Sequence, residues 1–129
     1  MPLQVAIKQG SMPLVKMLIN RGAKLNLSND VGNTPVHTAV YYDEKRILDL
    51  LLKHGATLDV FNDLGYGPVH VAAIHGYTSM IRYLEEQGAD LSQADRHNQT
   101  PLYYARYYDH PELAEFLRGV GMDKHPLKI

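Results

Sequence analysis

Seven histidines, two adjacent carboxylate pairs and nine tyrosines are the side chains with which this chain of 129 residues could hold a metal, move a proton or grip a ligand. Their spacing sorts these options. His37 and His70 lie 33 residues apart. Were that interval one step of a helical stack, the two imidazoles would sit ~8–10 Å apart, too far for one zinc with bonds of ~2.0–2.1 Å. Asp43-Glu44 and Glu85-Glu86 are sequence neighbours. On a helix the members of such a pair point to different faces and make no acid–base couple. The glycines form no G-x-G-x-x-G phosphate loop, and the absence of cysteine removes thiolate chemistry, disulfides and Cys-type metal sites. No catalytic residue, metal or cofactor is expected. The tyrosines differ. Tyr41-Tyr42, Ile74-His75 and Tyr107-Tyr108 recur at the same interval of 33. A pair repeated at fixed spacing makes a row, and rows of amphipathic rings are what binding surfaces use.

The interval belongs to the whole chain. Pro2, Pro35, Pro68 and Pro101 keep it, as do Gly22, Gly55, Gly88 and Gly121. So do Ala6, Ala39, Ala72 and Ala105, and Leu18, Leu51, Leu84 and Leu117. Self-similarity at a fixed period marks stacked supersecondary units that share their cores with their neighbours. Within one unit, Thr34 suits an N-cap and Pro35 a first helical position, so a short helix is expected from Pro35 to about Tyr42. Asp43 is expected to cap a second helix reaching about Lys53. Ile47, Leu48, Leu51 and Leu52 give that helix an apolar stripe, and Gly55 a left-handed stop. Residues 56–65 read as an extended, hairpin-like connector with Asn62-Asp63 at its turn.

Two columns, Leu3/Val36/Val69/Leu102 and Leu14/Ile47/Met80/Leu113, predict one continuous apolar spine. Toward the C-terminus Ile7, Val40 and Ala73 give way to Arg106, and Ile19 and Leu52 to Glu85 and Arg118, the mark of a unit that faces water. The expected organisation is a single all-α repeat solenoid. Its units fall at 1–22 (partial), 23–55, 56–88 and 89–121, with a tail at 122–129. The first unit is either a compact cap or the cut edge of a longer array, with the second preferred. A cut edge would expose apolar surface around Val5, Ile7 and Met17.

Lys and Arg number 13 against 14 Asp and Glu, a net charge of −1 that gives no bulk attraction to nucleic acid or anionic membrane. No apolar run approaches the length of a membrane span. The expectation is a cytoplasmic or nuclear protein that binds neither nucleic acid nor membrane.

The residues inside the period carry a resemblance. Gly32-Asn33-Thr34-Pro35-Val36-His37-Thr38-Ala39 and Leu50-Leu51-Leu52-Lys53-His54-Gly55-Ala56 resemble the two signature stretches of an ankyrin repeat. Gly67-Pro68-Val69-His70-Val71-Ala72-Ala73 and Gly88-Ala89-Asp90 repeat them. Thr100-Pro101-Leu102-Tyr103-Tyr104-Ala105 is a third copy, and Pro2-Leu3-Gln4-Val5-Ala6 a partial first. The resemblance implies helix-turn-helix units with protruding loops, and imidazoles at His37 and His70 that hydrogen-bond loop backbone. It places His54 in the polar slot before the helix-ending glycine. It also makes Asn26 similar to loop asparagines that are hydroxylated in some such proteins, although Lys24 replaces the usual acidic residue.

The resemblance further implies that the tyrosine slot lines a concave groove beside loop tips carrying Phe61, Leu64 and Tyr66. The candidate partner-contacting residues are therefore Tyr41, Tyr42, Ile74, His75, Tyr107 and Tyr108 from the helices. Asp30, Asn33, Asp63, Leu64, Tyr66, Arg96 and Gln99 join them from the loops. Asp30, Asp63 and Asp109, read as lying on one ridge, suggest a basic or aromatic-seeking peptide. The expected function is non-catalytic binding of a protein or peptide in the groove. The alternative is a regulatory or autoinhibitory segment of a larger enzyme or channel. A monomer is expected unless the N-terminal face is a cut surface.

Overall fold

Each proline of the 33-residue column starts a helix, and three of the four column glycines turn the chain. The structure, a computed structural model, describes residues 2–124, with side chains through Val120; Met1 and residues 125–129 of the expected tail lie outside the described residues. Its elements are α1 (Pro2–Lys8), α2 (Met12–Asn20), α3 (Pro35–Tyr41), α4 (Lys45–Lys53), α5 (Pro68–His75), α6 (Thr78–Glu86), α7 (Pro101–Tyr107) and α8 (Pro111–Lys124). No strand occurs among the described residues.

The caps follow the sequence. Thr34 Oγ1 accepts the His37 N–H at 3.4 Å, and Thr100 Oγ1 accepts the Tyr103 N–H at 3.3 Å. Gly67 supplies no side chain, yet its backbone (φ −86°, ψ 173°) matches that of Thr34 (φ −80°, ψ 169°). Gly22, Gly55 and Gly88 follow the second helices with φ of 88°, 102° and 97°, left-handed angles that end a helix cheaply only for glycine. Gly121 does not end its helix, since α8 continues to Lys124.

Asp43 does not cap α4, contrary to expectation. It takes φ 56°, in register with Gly10 (69°), Gly76 (72°) and Asp109 (61°). Folding the second helix back on the first requires one left-handed residue at this turn, and aspartate is among the few non-glycine residues that tolerate it. Glu44 then stands at the N-cap of α4 with no side-chain bond.

The leading helices α1, α3, α5 and α7 lie side by side, each backed by its own second helix. Every residue from Pro35 to Val40 and from Pro68 to Ala73 is buried, because these helices are covered on several sides. The second helices bury one stripe only, for example Ile47, Leu48 and Leu51. They reach one another through longer side chains: Lys45 Nζ donates to Ser79 Oγ at 2.8 Å, Tyr83 Oη donates to Asp49 Oδ1 at 2.9 Å, and Arg82 lies 4.9 Å over the Phe116 ring. Contact between units is closer in the leading layer than between the second helices.

The spine is present: Ala6, Ala39, Ala72 and Ala105 are fully buried, as are Leu51 and Leu84. Its outer ends are looser, with Leu14, Leu18 and Leu102 half-buried. Arg106 and Arg118 reach solvent on the last unit, while Glu85 is half-buried. On the first unit Val5 and Met17 are exposed, but Ile7 is fully buried, so it does not belong to the apolar surface expected there.

Leu51→Ala should cost roughly 2–5 kcal/mol, since it opens a cavity where units share core; urea unfolding would show a collapse of the midpoint. Gly67→Thr should be neutral or stabilise by up to about half a kcal/mol. An added Cβ would meet His70 Nδ1 at 3.2 Å, the geometry that Thr34 already accommodates beside His37. A melting scan of the variant checks this.

Candidate functional site

The long connectors are shaped by one side chain each. Asn29 Oδ1 accepts the N–H groups of Val31 (3.1 Å) and Asn33 (3.0 Å). Asn62 Oδ1 does the same for Leu64 and Tyr66, both at 3.0 Å. Asp95 Oδ1 does so for His97 (2.8 Å) and Gln99 (2.9 Å). These are Asx turns, tightened by backbone bonds from Asn29 to Asn33, Asn62 to Tyr66 and Asp95 to Gln99. The third carries a carboxylate because Tyr104 Oη donates to its second oxygen at 2.5 Å. Burial alone would raise the Asp95 carboxyl, but the Tyr104 hydroxyl and the two backbone donors hold it below the ordinary carboxylate value. Burial and that same bond push the Tyr104 phenol up.

A second column joins each unit to the next. Gln4 Nε2 donates to the Asn33 carbonyl at 2.8 Å, His37 Nε2 to that of Tyr66 at 2.9 Å, and His70 Nε2 to that of Gln93 at 2.9 Å. The Nδ1 atoms of His37 and His70 accept the N–H of Thr34 and Gly67, both at 3.2 Å. Both ring nitrogens are thus occupied, with the proton on Nε2. Burial lowers both imidazoles below their ordinary value, opposed by the carbonyls they face. Tyr103 occupies this column in the fourth unit.

The candidate binding residues separate into groups. Tyr41 and Tyr42 are exposed at the end of α3, their rings edge-to-face at 4.9 Å. Tyr107, 67% exposed, meets Tyr108 at 4.9 Å and stacks on the exposed Tyr103 at 5.8 Å. Between them Ile74 and His75 are half-buried. Tyr77 stacks on His75 at 5.2 Å while its hydroxyl donates to the Tyr41 carbonyl at 3.0 Å, so the middle rung is roofed by a ring. His75 Nδ1 donates to the Val71 carbonyl at 3.0 Å.

On the loops, Asp30 and Asp63 are exposed and Leu64 is 63% exposed. Tyr66 is half-buried against Tyr104, with ring centroids 5.6 Å apart. Arg96 lies 5.3 Å over the Phe61 ring, and Gln99 is committed through its backbone to the Asp95 turn. Asn33 Oδ1 accepts from Asn62 Nδ2 at 2.9 Å. Asp109 sits in the α7–α8 turn, at the far end of α7 from the loop, so it does not share a ridge with Asp30 and Asp63. Asn26 Oδ1 accepts the Thr57 N–H at 3.0 Å and ties the first two loops.

One concavity draws helix and loop together. Tyr41, Tyr42 and Asn33 wall a cleft of about 420 Å³ with Gln4, Val5, Lys8, Asn29 and Thr38. Lys8 and Asn29 were missed from sequence, yet both stand in register: Lys8 precedes Tyr41 by one period, and Asn29 precedes Asn62 by one. Tyr103 was missed because it fills a histidine column. Among the described residues no three His, Asp or Glu side chains gather as metal ligands, and no helix is long and apolar enough to cross a membrane.

A family model described as ankyrin repeats, in three copies, matches residues 1–62 and 58–126. No curated protein matches the chain.

The buried imidazoles give a pH dependence of known sign. An unfolded histidine takes up a proton near pH ~6.5, whereas folded His37 and His70 resist it to lower pH. Their contribution is therefore present above ~6.5 and lost as pH falls from there through the folded values. Calorimetry should show a falling melting temperature on that acid side. His37→Gln, which installs the donor that Gln4 already uses, should blunt the fall, whereas His37→Ala should cost about 1–3 kcal/mol, because the Thr34 N–H loses its buried Nδ1 acceptor and the Tyr66 carbonyl keeps only the Asn62 N–H.

Proposed function

From the premise that the chain belongs to the ankyrin-repeat family, we propose that it is a non-catalytic module binding a partner protein or peptide along its leading-helix face. Ankyrin repeats are in general protein–protein interaction modules, and the family is typically non-catalytic. The observation that carries the proposal is the set of exposed rings Tyr41, Tyr42, Tyr103, Tyr107 and Tyr108. All five lie on, or directly follow, helices whose other side chains are mostly buried, and an exposed phenol offers large contact area with few torsions to freeze. None is needed for the spine, which Ala39, Val40 and Ala105 already fill.

The second reading, a regulatory segment of a larger enzyme or channel, draws on the exposure of Val5 and Met17 in the first unit and of Leu27 in the loop that follows it. Self-association through that surface, seen as a mass that rises with concentration in light scattering, supports it.

Tyr107→Ala should weaken a peptide selected by display against the wild-type protein by more than ~1 kcal/mol, read by titration calorimetry, with melting unchanged. Tyr104→Ala should instead lower melting, because Tyr104 is buried and bonded to Asp95. Binding that survives Tyr41→Ala and Tyr107→Ala but is lost on changing α4 or α6 would move the site to the outer helices.

A further inference from the structure

The cleft between α1, α3 and the first loop has a one-sided hydrogen-bond inventory. Asn29 Oδ1 is spent on two backbone N–H groups, so its Nδ2 is the atom left over as a donor. Asn62 Oδ1 is likewise spent on two N–H groups, so Asn62 Nδ2 must be the donor to Asn33, and the Asn33 atom that receives it must be Oδ1. Asn33 Nδ2 is thereby fixed as a donor too. Gln4 and Thr38 satisfy each other, and Gln4 Nε2 is taken by the Asn33 carbonyl. Among the described residues neither asparagine Nδ2 has an acceptor, and Lys8 makes no ion pair.

Apart from the phenol oxygens of Tyr41 and Tyr42, the side-chain acceptors of the cleft are spent within the protein, while two amide donors and an ammonium are left for a ligand. Lys8 is the one charged residue in its wall; Asp30 and Asp43 adjoin Asn29 and Tyr42 in sequence but do not line it. Val5 and the edge-to-face rings of Tyr41 and Tyr42 add an apolar side. Such a volume is within the range of sites that hold one or two side chains of a ligand.

We infer that this cleft receives an acidic side chain, aspartate or glutamate, of an extended partner peptide, with an apolar neighbour of that residue against Val5 and Tyr41. The carboxylate lies between Lys8 Nζ and the Nδ2 atoms of Asn29 and Asn33, where charge-assisted bonds are the strong ones. This reverses, for the N-terminal part of the face, the basic ligand suggested by the loop aspartates. It rests on the interaction-module reading and assigns the partner's chemistry within it.

The test uses isotope-labelled protein titrated with acetyl-Leu-Glu-Leu-amide and its Gln counterpart, observing side-chain amide resonances. Saturating shifts at Asn29 and Asn33 are expected with the Glu peptide, and affinity about fivefold or more lower with the Gln peptide. Lys8→Gln should lower Glu-peptide affinity several-fold and flatten its salt dependence. Asn33→Asp is the sharper variant. It preserves the oxygen that Asn62 bonds, so folding stands, but exchanges the donor for a negative acceptor and should abolish the preference for Glu.

Equal affinity for the two peptides, indifference to both substitutions, or no saturation by about 10 mM peptide overturns the inference. A display-selected peptide that still maps to Tyr107 in that event leaves the module reading standing. One that maps to the second helices removes the module's proposed face whatever the cleft prefers.

Discussion

The bond that each unit sends from the first turn of its leading helix to the next loop's carbonyl sets the register of everything else. Gln4, His37 and His70 make it in succession, each buried, each at 2.8–2.9 Å. A pair of helices this short is marginal in water, and a loop without strands has carbonyls that need partners. The same contact answers both needs. It holds loop to helix across the unit boundary while the apolar spine supplies most of the attraction. Because the imidazoles also accept the N–H that opens their own helix, cap and junction are one object. The last unit substitutes Tyr103 and turns its ring outward.

Much of this was legible in the sequence because the period multiplies weak signals. One Thr-Pro predicts a helix start modestly; the same dipeptide in phase with buried alanines and leucines predicts a stack. What was missed lies where one residue type serves two purposes. Asp43 reads as a cap from its type, but its place in the column Gly10/Asp43/Gly76/Asp109 makes it the left-handed turn. Gln4 does not look like histidine, yet it does what His37 does. Asp109 belongs to a turn remote from the loop tips, which spacing alone does not distinguish. Columns carry geometry, and residue types within them only vary its chemistry.

The tyrosine row was expected as a ladder and is better described as two exposed ends with a roofed middle. Nothing in residues 74 and 75 announces this; the cause is Tyr77, which reaches across the turn to the Tyr41 carbonyl and lays its ring on His75. Burial pushes that phenol up, consistent with a ring that is packed as well as bonded. The two ends differ in character. The N-terminal end combines rings with amides and a lysine, whereas the C-terminal end sets Tyr103 and Tyr107 beside Arg106.

Packing between successive units also has a mechanical side. The leading helices touch in the order α1, α3, α5, α7, so a force applied to the two ends meets a series of like junctions rather than one shared clamp. Such a chain gives way one junction at a time. Each freed unit of 33 residues would release on the order of 110 Å of extended chain at ~3.4 Å per residue. A stack held together in this way lengthens in steps under load and, on release, can rewind against whichever neighbour still holds.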